Sequence, residues 1–245
     1  MMEGVGQQGS EKQAFNDINT AAYAGVYNRV FKRVIGFSLA ILLLVPLIPL
    51  YILIAIAIVI ESGFPIFYKA DRGGYRGSSF QIYKFRSMVR NADQIGGGTT
   101  ALNDSRITKI GSFLRKTKLD ETAQLLNIIK GEMSFIGPRP ELLKYTNQYQ
   151  GTEKYILEVR PGITDYSSLE FINLDDIVGS SNADEVYENK VLKRKNQLRI
   201  KYATTVSFKT DVKLFFQTIY MTSQKALSVA FAMEVWHGKN SAKKF

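Results

Sequence analysis

Residues 34–60 read VIGFSLAILLLVPLIPLYILIAIAIVI, an apolar run without a single charged side chain. As a helix it would extend about 40 Å, longer than the roughly 30 Å hydrocarbon core of a bilayer. A helix inside a soluble core does not need Ile, Leu and Val on every face. A cleaved leader is shorter, begins closer to the start and ends in a small-residue cleavage pattern, none of which fits here. The run therefore places the chain at a membrane. Pro46 and Pro49 fall near its middle. Each removes a backbone donor and crowds the preceding turn, so the pair predicts a kink. A sharp kink leaves two arms of about 20 Å, too short to cross. Arg29, Lys32 and Arg33 precede the run and Lys69, Arg72 and Arg76 follow it, which suits a hairpin with both ends on the cytoplasmic face. A spanning helix with a mild kink satisfies the same residues, because transmembrane helices tolerate proline.

Outside the run the chain is polar and basic, and the 245 residues carry a net charge of +10. That length holds one sizeable domain plus an anchor. The charge suits anionic lipid, nucleic acid or a polyphosphate ligand. No zinc-finger spacing or aromatic RNA signature accompanies it, so no specific nucleic-acid partner is expected. Cysteine is absent and His237 is the one histidine, which removes disulfides, thiolate metal sites, a Cys nucleophile and any His-based triad. Catalysis must then run on carboxylates, hydroxyls, Lys, Arg or an oxygen-bound metal.

The segments around the run divide readily. Residues 1–28 read as a flexible N-terminal segment, with Ala21–Arg33 able to form a short interfacial helix leading into the membrane; residues 29–62 form the membrane helix and 63–245 the cytoplasmic domain with interfacial helices. Two strands, Pro65–Ala70 and Ser79–Met88, flank a Gly73–Gly77 turn as a β-hairpin, and Lys84 and Arg86 share a face with Phe80 and Ile82. Gly96-Gly97-Gly98-Thr99-Thr100 reads as a mobile loop, since no G-K-[ST] follows the glycines. Ile107–Lys116 is an amphipathic helix, a second runs from about Glu121 to Lys130 with Gly131 as its stop, and two long helical patterns cover about 183–203 and 209–234. The fold class is α+β, mostly helical with a small hairpin.

Leu119-Asp120-Glu121-Thr122 has two readings. Asp is a favoured N-cap and Glu belongs in a first turn, so the pair serves simply to start a helix. Yet Lys84, Arg86, Arg115 and Arg139 all fall near turns or element ends around it. A carboxylate pair among cations suits a phosphate substrate, with Asp120 and Glu121 holding Mg²⁺ or attacking phosphorus. The alternative for the cations is a solvated basic face beside anionic lipid. Gly137-Pro138-Arg139-Pro140 restrains one guanidinium between two prolines, as a diphosphate clamp or as a rigid exposed turn; Arg160-Pro161-Gly162-Ile163-Thr164 reads the same way.

In order along the chain, Lys32-Arg33 before a proline-broken apolar run, YKFRSM (83–88), Arg115 with Leu119-Asp120-Glu121, KGEMSFIGPRP (130–140) and RPGIT (160–164) resemble the bacterial sugar transferase family, the monotopic polyprenol-phosphate phosphoglycosyl transferases. The likeness spans about residues 29–220. It implies a re-entrant helix broken at proline, Pro46 or Pro49, in the bacterial inner membrane with the catalytic domain on the cytoplasmic face. It implies that Asp120 attacks the β-phosphate of a UDP-sugar, releases UMP and passes the phosphosugar to undecaprenyl phosphate, initiating a surface glycan such as O-antigen, capsule or exopolysaccharide. Glu121 would position Mg²⁺ or assist proton movement, and Lys84, Arg115, Arg139 and Arg160 would bind phosphates. Two features depart from the family's pattern: Ile48 and Val45, not Ser, precede the prolines, and RPGIT continues as DYSSLEF (165–171) with Asp175-Asp176 soon after. The stretch ahead of the run is too short for the multi-helix membrane domain of larger members, so the minimal form is expected. The competing expectation is a catalytically inactive membrane scaffold of a glycan-assembly complex.

Overall fold

The computed structural model describes residues 21–95, 104–179 and 182–241. Residues 1–20 and the glycine loop at 96–100 lie outside the described residues, as do the side chains of Asp175, Asp176 and His237. Within the N-terminal segment, Ala21–Ala24 and Tyr27–Phe31 are helical and lead directly into the apolar helix α1, Lys32–Ser62. Asn28 is buried, and its side-chain amide donates to the Tyr23 and Glu158 carbonyls.

Helix α1 contains both Pro46 and Pro49 and is not divided into two elements at either. It also lies against the rest of the chain along its whole length. Near its start, the Arg33 guanidinium donates to the Ile128 and Ile129 carbonyls. Further along, Ala40 packs with Phe80, Ile82, Leu125 and Ile128. After the prolines, Tyr51 donates its hydroxyl to the Thr122 carbonyl at 2.7 Å, and Ile54 and Ile58 pack with Phe85, Leu114 and Ala123. At the end, both Glu61 oxygens accept backbone N–H groups of Lys109 and Ile110, at 2.8 and 3.0 Å, capping α2, Lys109–Lys116. Contacts on both sides of the prolines hold the two halves to one body, which explains why the backbone is carried through. The opposite stripe stays bare, with Leu42 and Leu53 exposed.

Strands β1 (Phe67–Gly73) and β2 (Ser79–Phe85) form the expected antiparallel hairpin, Phe67 opposite Phe85 and Gly73 opposite Ser79. Phe80, Ile82 and Lys84 do share one face, but Arg86 lies past the strand end and donates to Ser62 and Gly63 at the foot of α1. The second helix begins later than expected. A 3₁₀ turn covers Leu119–Gln124, and α3 is Leu125–Lys130, ended by Gly131 at φ 88°.

A second sheet joins two segments that the sequence reading left as turn-rich: β3 (Ser134–Ile136) pairs in parallel with β4 (Gly162–Thr164). The closeness of the chains explains two glycines. A Cβ on Gly137 would meet the Arg160 carbonyl, and one on Gly162 would meet the Gly137 backbone. Both long helical patterns are helices: Ala183–Val186 is α-helical and passes through a π-helical stretch, Tyr187–Val191, into α4 (Leu192–Thr205), and α5 is Phe208–Ser241.

Candidate active site

The turn Leu119–Gln124 is positioned from three sides. Lys118, at φ 58°, reverses the chain out of α2. The Thr122 carbonyl is held by Tyr51 of α1. Beneath it, buried Asn127 ties α3 to β2: its carbonyl accepts the Tyr83 N–H at 2.9 Å, and its amide donates to the Gln81 carbonyl and to Glu132, each at 2.7 Å. These bonds set the turn carrying Asp120 and Glu121 against the strand carrying Lys84.

The two carboxylates have opposite surroundings. Glu121 Oε1 accepts the Lys84 ammonium at 3.0 Å and the Arg139 guanidinium. Burial pushes the Glu121 carboxyl up, but Arg139 and Lys84 outweigh it and hold the group well below the usual carboxylate range. Asp120 is 5 % exposed and accepts no hydrogen bond among the described residues; it caps nothing, so the reading of this pair as a helix start is set aside. Burial raises the Asp120 carboxyl, opposed chiefly by Lys84. Adjacent carboxylates pushed apart in this way have different tasks: Glu121 is a fixed anion that anchors cations, and Asp120 keeps its oxygens uncommitted.

The prolines around Arg139 do what rigid neighbours allow. Its guanidinium reaches Glu121 and, through Nη1, the Ile163 carbonyl of β4 at 3.2 Å. The parallel pairing of β3 and β4 thus brings PRP and RPGIT to one place. Lys84, Arg115, Asp120, Glu121 and Arg139 line one cavity of about 610 Å³. Arg160 is not among its lining residues; it lies 4.9 Å over the Tyr75 ring and donates to the Gly131 carbonyl at 3.1 Å, bracing the hairpin turn against the end of α3. Pro46 and Pro49 lie beside a lip of the cavity formed by Leu43 and Leu47 of α1.

Sequence reasoning missed Lys118, Glu141, Tyr187 and Lys195, which also line the cavity. Lys118 sits within the Arg115–Glu121 motif, so proximity in sequence was a usable signal. Glu141 directly follows the Gly137–Pro140 motif, so the same signal applied there; Tyr187 and Lys195 come from later helical turns with no local pattern.

Among the described residues no group of three or more His, Cys, Asp or Glu converges on a metal cage. Mg²⁺ ordinarily takes one or two carboxylates and completes its shell with water and substrate phosphates. Asp120 and Glu121 are the two carboxylates that would hold the ion in that mode.

An uncommitted buried carboxylate ringed by cations, in a cavity that opens beside a long apolar helix, has the chemistry that a phosphate ligand requires. A family model described as "Bacterial sugar transferase" matches residues 27–225, and the chain belongs to that family. It is 34% identical over 197 residues to the UDP-glucose:undecaprenyl-phosphate glucose-1-phosphate transferase of Escherichia coli K12, covering 79% of this chain and 40% of that protein. It is 34% identical over 191 residues to the uncharacterized sugar transferase EpsL of Bacillus subtilis 168, covering 78% of this chain and 86% of that one. A third relative, 37% identical over 135 residues, is the UDP-N-acetylgalactosamine-undecaprenyl-phosphate N-acetylgalactosaminephosphotransferase of Aeromonas hydrophila; the match covers 54% of this chain and 32% of that protein. The chain thus spans well under half the length of the Escherichia coli and Aeromonas relatives.

Proposed function

We propose that the chain moves a sugar 1-phosphate from a UDP-sugar to undecaprenyl phosphate at the cytoplasmic face of the bacterial inner membrane, initiating a surface glycan. The observation that carries this reading is the uncommitted Asp120 carboxylate facing four cations in a cavity bordered by Leu43 and Leu47 of the membrane helix. An Asp120 oxygen attacks the β-phosphorus; the bond from that phosphorus to the bridging oxygen breaks, and UMP leaves with the bridging oxygen. The undecaprenyl phosphate oxygen then attacks the same phosphorus, the acyl-phosphate bond breaks, and the Asp120 carboxylate is restored. No proton is required by either exchange, which suits a cavity with no histidine among its described lining residues. Lys84, Arg115 and Arg139 neutralise phosphate oxygens as charge develops. Mg²⁺, when bound with the diphosphate, would supply further charge neutralisation.

The lipid reaches this site from the bilayer. Contacts of Arg33, Ala40, Ile54 and Glu61 to one domain support a helix that enters and leaves on the same face, and Pro46 and Pro49, inside its one continuous run, are the proposed turning point. A helix crossing the bilayer would carry one end away from that domain. Exposed Phe208, Phe216 and Tyr220 on α5 suit an additional interfacial contact.

The deciding experiment is UMP release from a panel of UDP-sugars with Mg²⁺ and polyprenyl phosphate. Asp120→Asn should abolish release while membrane association persists; full activity in that variant would remove Asp120 as nucleophile, and a wild-type chain that labels no lipid would be the scaffold instead.

A further inference from the structure

Away from the carboxylate pair, the same cavity is lined by Glu141, Tyr187 and Lys195. Lys195 is 6 % exposed, yet its ammonium is only partly hydrogen-bonded. The nearest carboxylate oxygen, Glu141 Oε1, lies 3.9 Å away and already accepts Arg199 Nη2 at 2.6 Å and the Tyr187 hydroxyl. Asp165 is occupied by Ser167 and Ser168, including the Ser168 backbone N–H. The one hydrogen bond Lys195 makes among the described residues is to the Tyr187 oxygen, at 3.3 Å. An ammonium carries three donors, so two remain without a protein acceptor.

Lys195 and Arg199 share Glu141, with the buried Asp165 carboxylate as the second anion near them. The Lys195 ammonium also lies 4.9 Å over the Tyr187 ring, a contact that takes no donor in a hydrogen bond. A desolvated charge of this kind is costly unless something completes it. Burial, followed by Arg199, lowers Lys195 to about 8.

Resting on the transferase reading above, we infer that Lys195 is a substrate-binding residue that takes a carbonyl or carboxylate oxygen borne by the donor sugar. Phosphates have their own cations, Lys84, Arg115 and Arg139, grouped around Asp120. The lipid has its own entrance at Leu43 and Leu47. The sugar is attached to the phosphorus that Asp120 attacks, so it must occupy this cavity, and on the wall away from the Asp120 turn the unmet donors belong to Lys195. The class of substrate is a UDP-linked N-acyl or uronic sugar rather than an unsubstituted hexose.

The test measures UMP release from UDP-glucose, UDP-N-acetylglucosamine and UDP-glucuronate, together with inhibition by UDP, in the wild-type chain, Lys195→Met and Lys195→Gln. Wild type should favour one of the two oxygen-bearing sugars over UDP-glucose by about tenfold in kcat/KM. Both variants should erase that preference while the UDP inhibition constant stays within about twofold, which also reports an intact fold. A preference retained in the variants, a wild-type preference for glucose, or an equal loss of UDP affinity overturns the assignment, the last by placing Lys195 on the nucleotide. A lower melting temperature with unchanged preference would make Lys195 merely structural. Wild type releasing UMP from none of the three counts against the transferase reading itself.

Discussion

Glu121 accepts a lysine and an arginine on one oxygen, while its sequence neighbour Asp120 accepts nothing from the described residues. The two should therefore affect stability in opposite ways. The folded pKa of Glu121 lies below its reference of 4.5, so its ionised form stabilises the fold above that pH, and the contribution is lost as pH falls through the folded value. Glu121→Gln should cost about 2 kcal/mol at neutral pH, because two half-buried cations lose their anion. Its stability should also fall less steeply than that of wild type below pH 4.5, as read by thermal melts across pH. Asp120 has the reverse sign: its raised folded pKa means that the charge is disfavoured in the folded state above the reference of 3.8. Asp120→Asn should melt at or above the wild-type temperature at pH 7 while losing UMP release, and a clear drop in melting temperature would contradict the burial argument. That Asp120 and Glu121 lie among cations was readable in sequence. Which of them stays uncommitted was not, because it depends on Arg139 arriving from the turn after β3, a strand paired with a distant one.

At the level of elements, the β1–β2 hairpin and α2 announce themselves by local periodicity and turn glycines, and both were found within a few residues of their expected limits. The β3–β4 pair does not, since strands of three residues carry no period and their partners are far apart in the chain. Its one sequence trace is a glycine in each motif. Gly162→Ala should destabilise by about 2–4 kcal/mol, because the added methyl must displace the Gly137 backbone. It should also raise the KM for donor by shifting the Ile163 carbonyl that holds Arg139. Denaturant unfolding and steady-state kinetics on the same preparation check both, and a neutral variant would mean that the two strands can part without consequence.

For the molecule as a whole, the consequential arrangement is that both halves of α1 rest on one domain. The natural chain lacks cysteine, so single cysteines report topology without background. Ala24→Cys and Ser78→Cys should react with an impermeant maleimide from the same side of the membrane, and Leu42→Cys, on the bare apolar stripe, should resist it from both sides. Reaction of Ala24→Cys and Ser78→Cys from opposite sides would establish a spanning helix. Membrane attachment, the exclusion of thiol and histidine chemistry, and the candidate carboxylates followed from the sequence alone, because hydrophobic run length and residue type are properties of the chain that no fold can alter. The tertiary structure decided which cations surround Glu121, that Arg160 braces a turn instead of lining the cavity, and that Lys195 enters the cavity wall. Those outcomes depend on contacts between residues far apart in the chain, and no local pattern encodes where such residues meet.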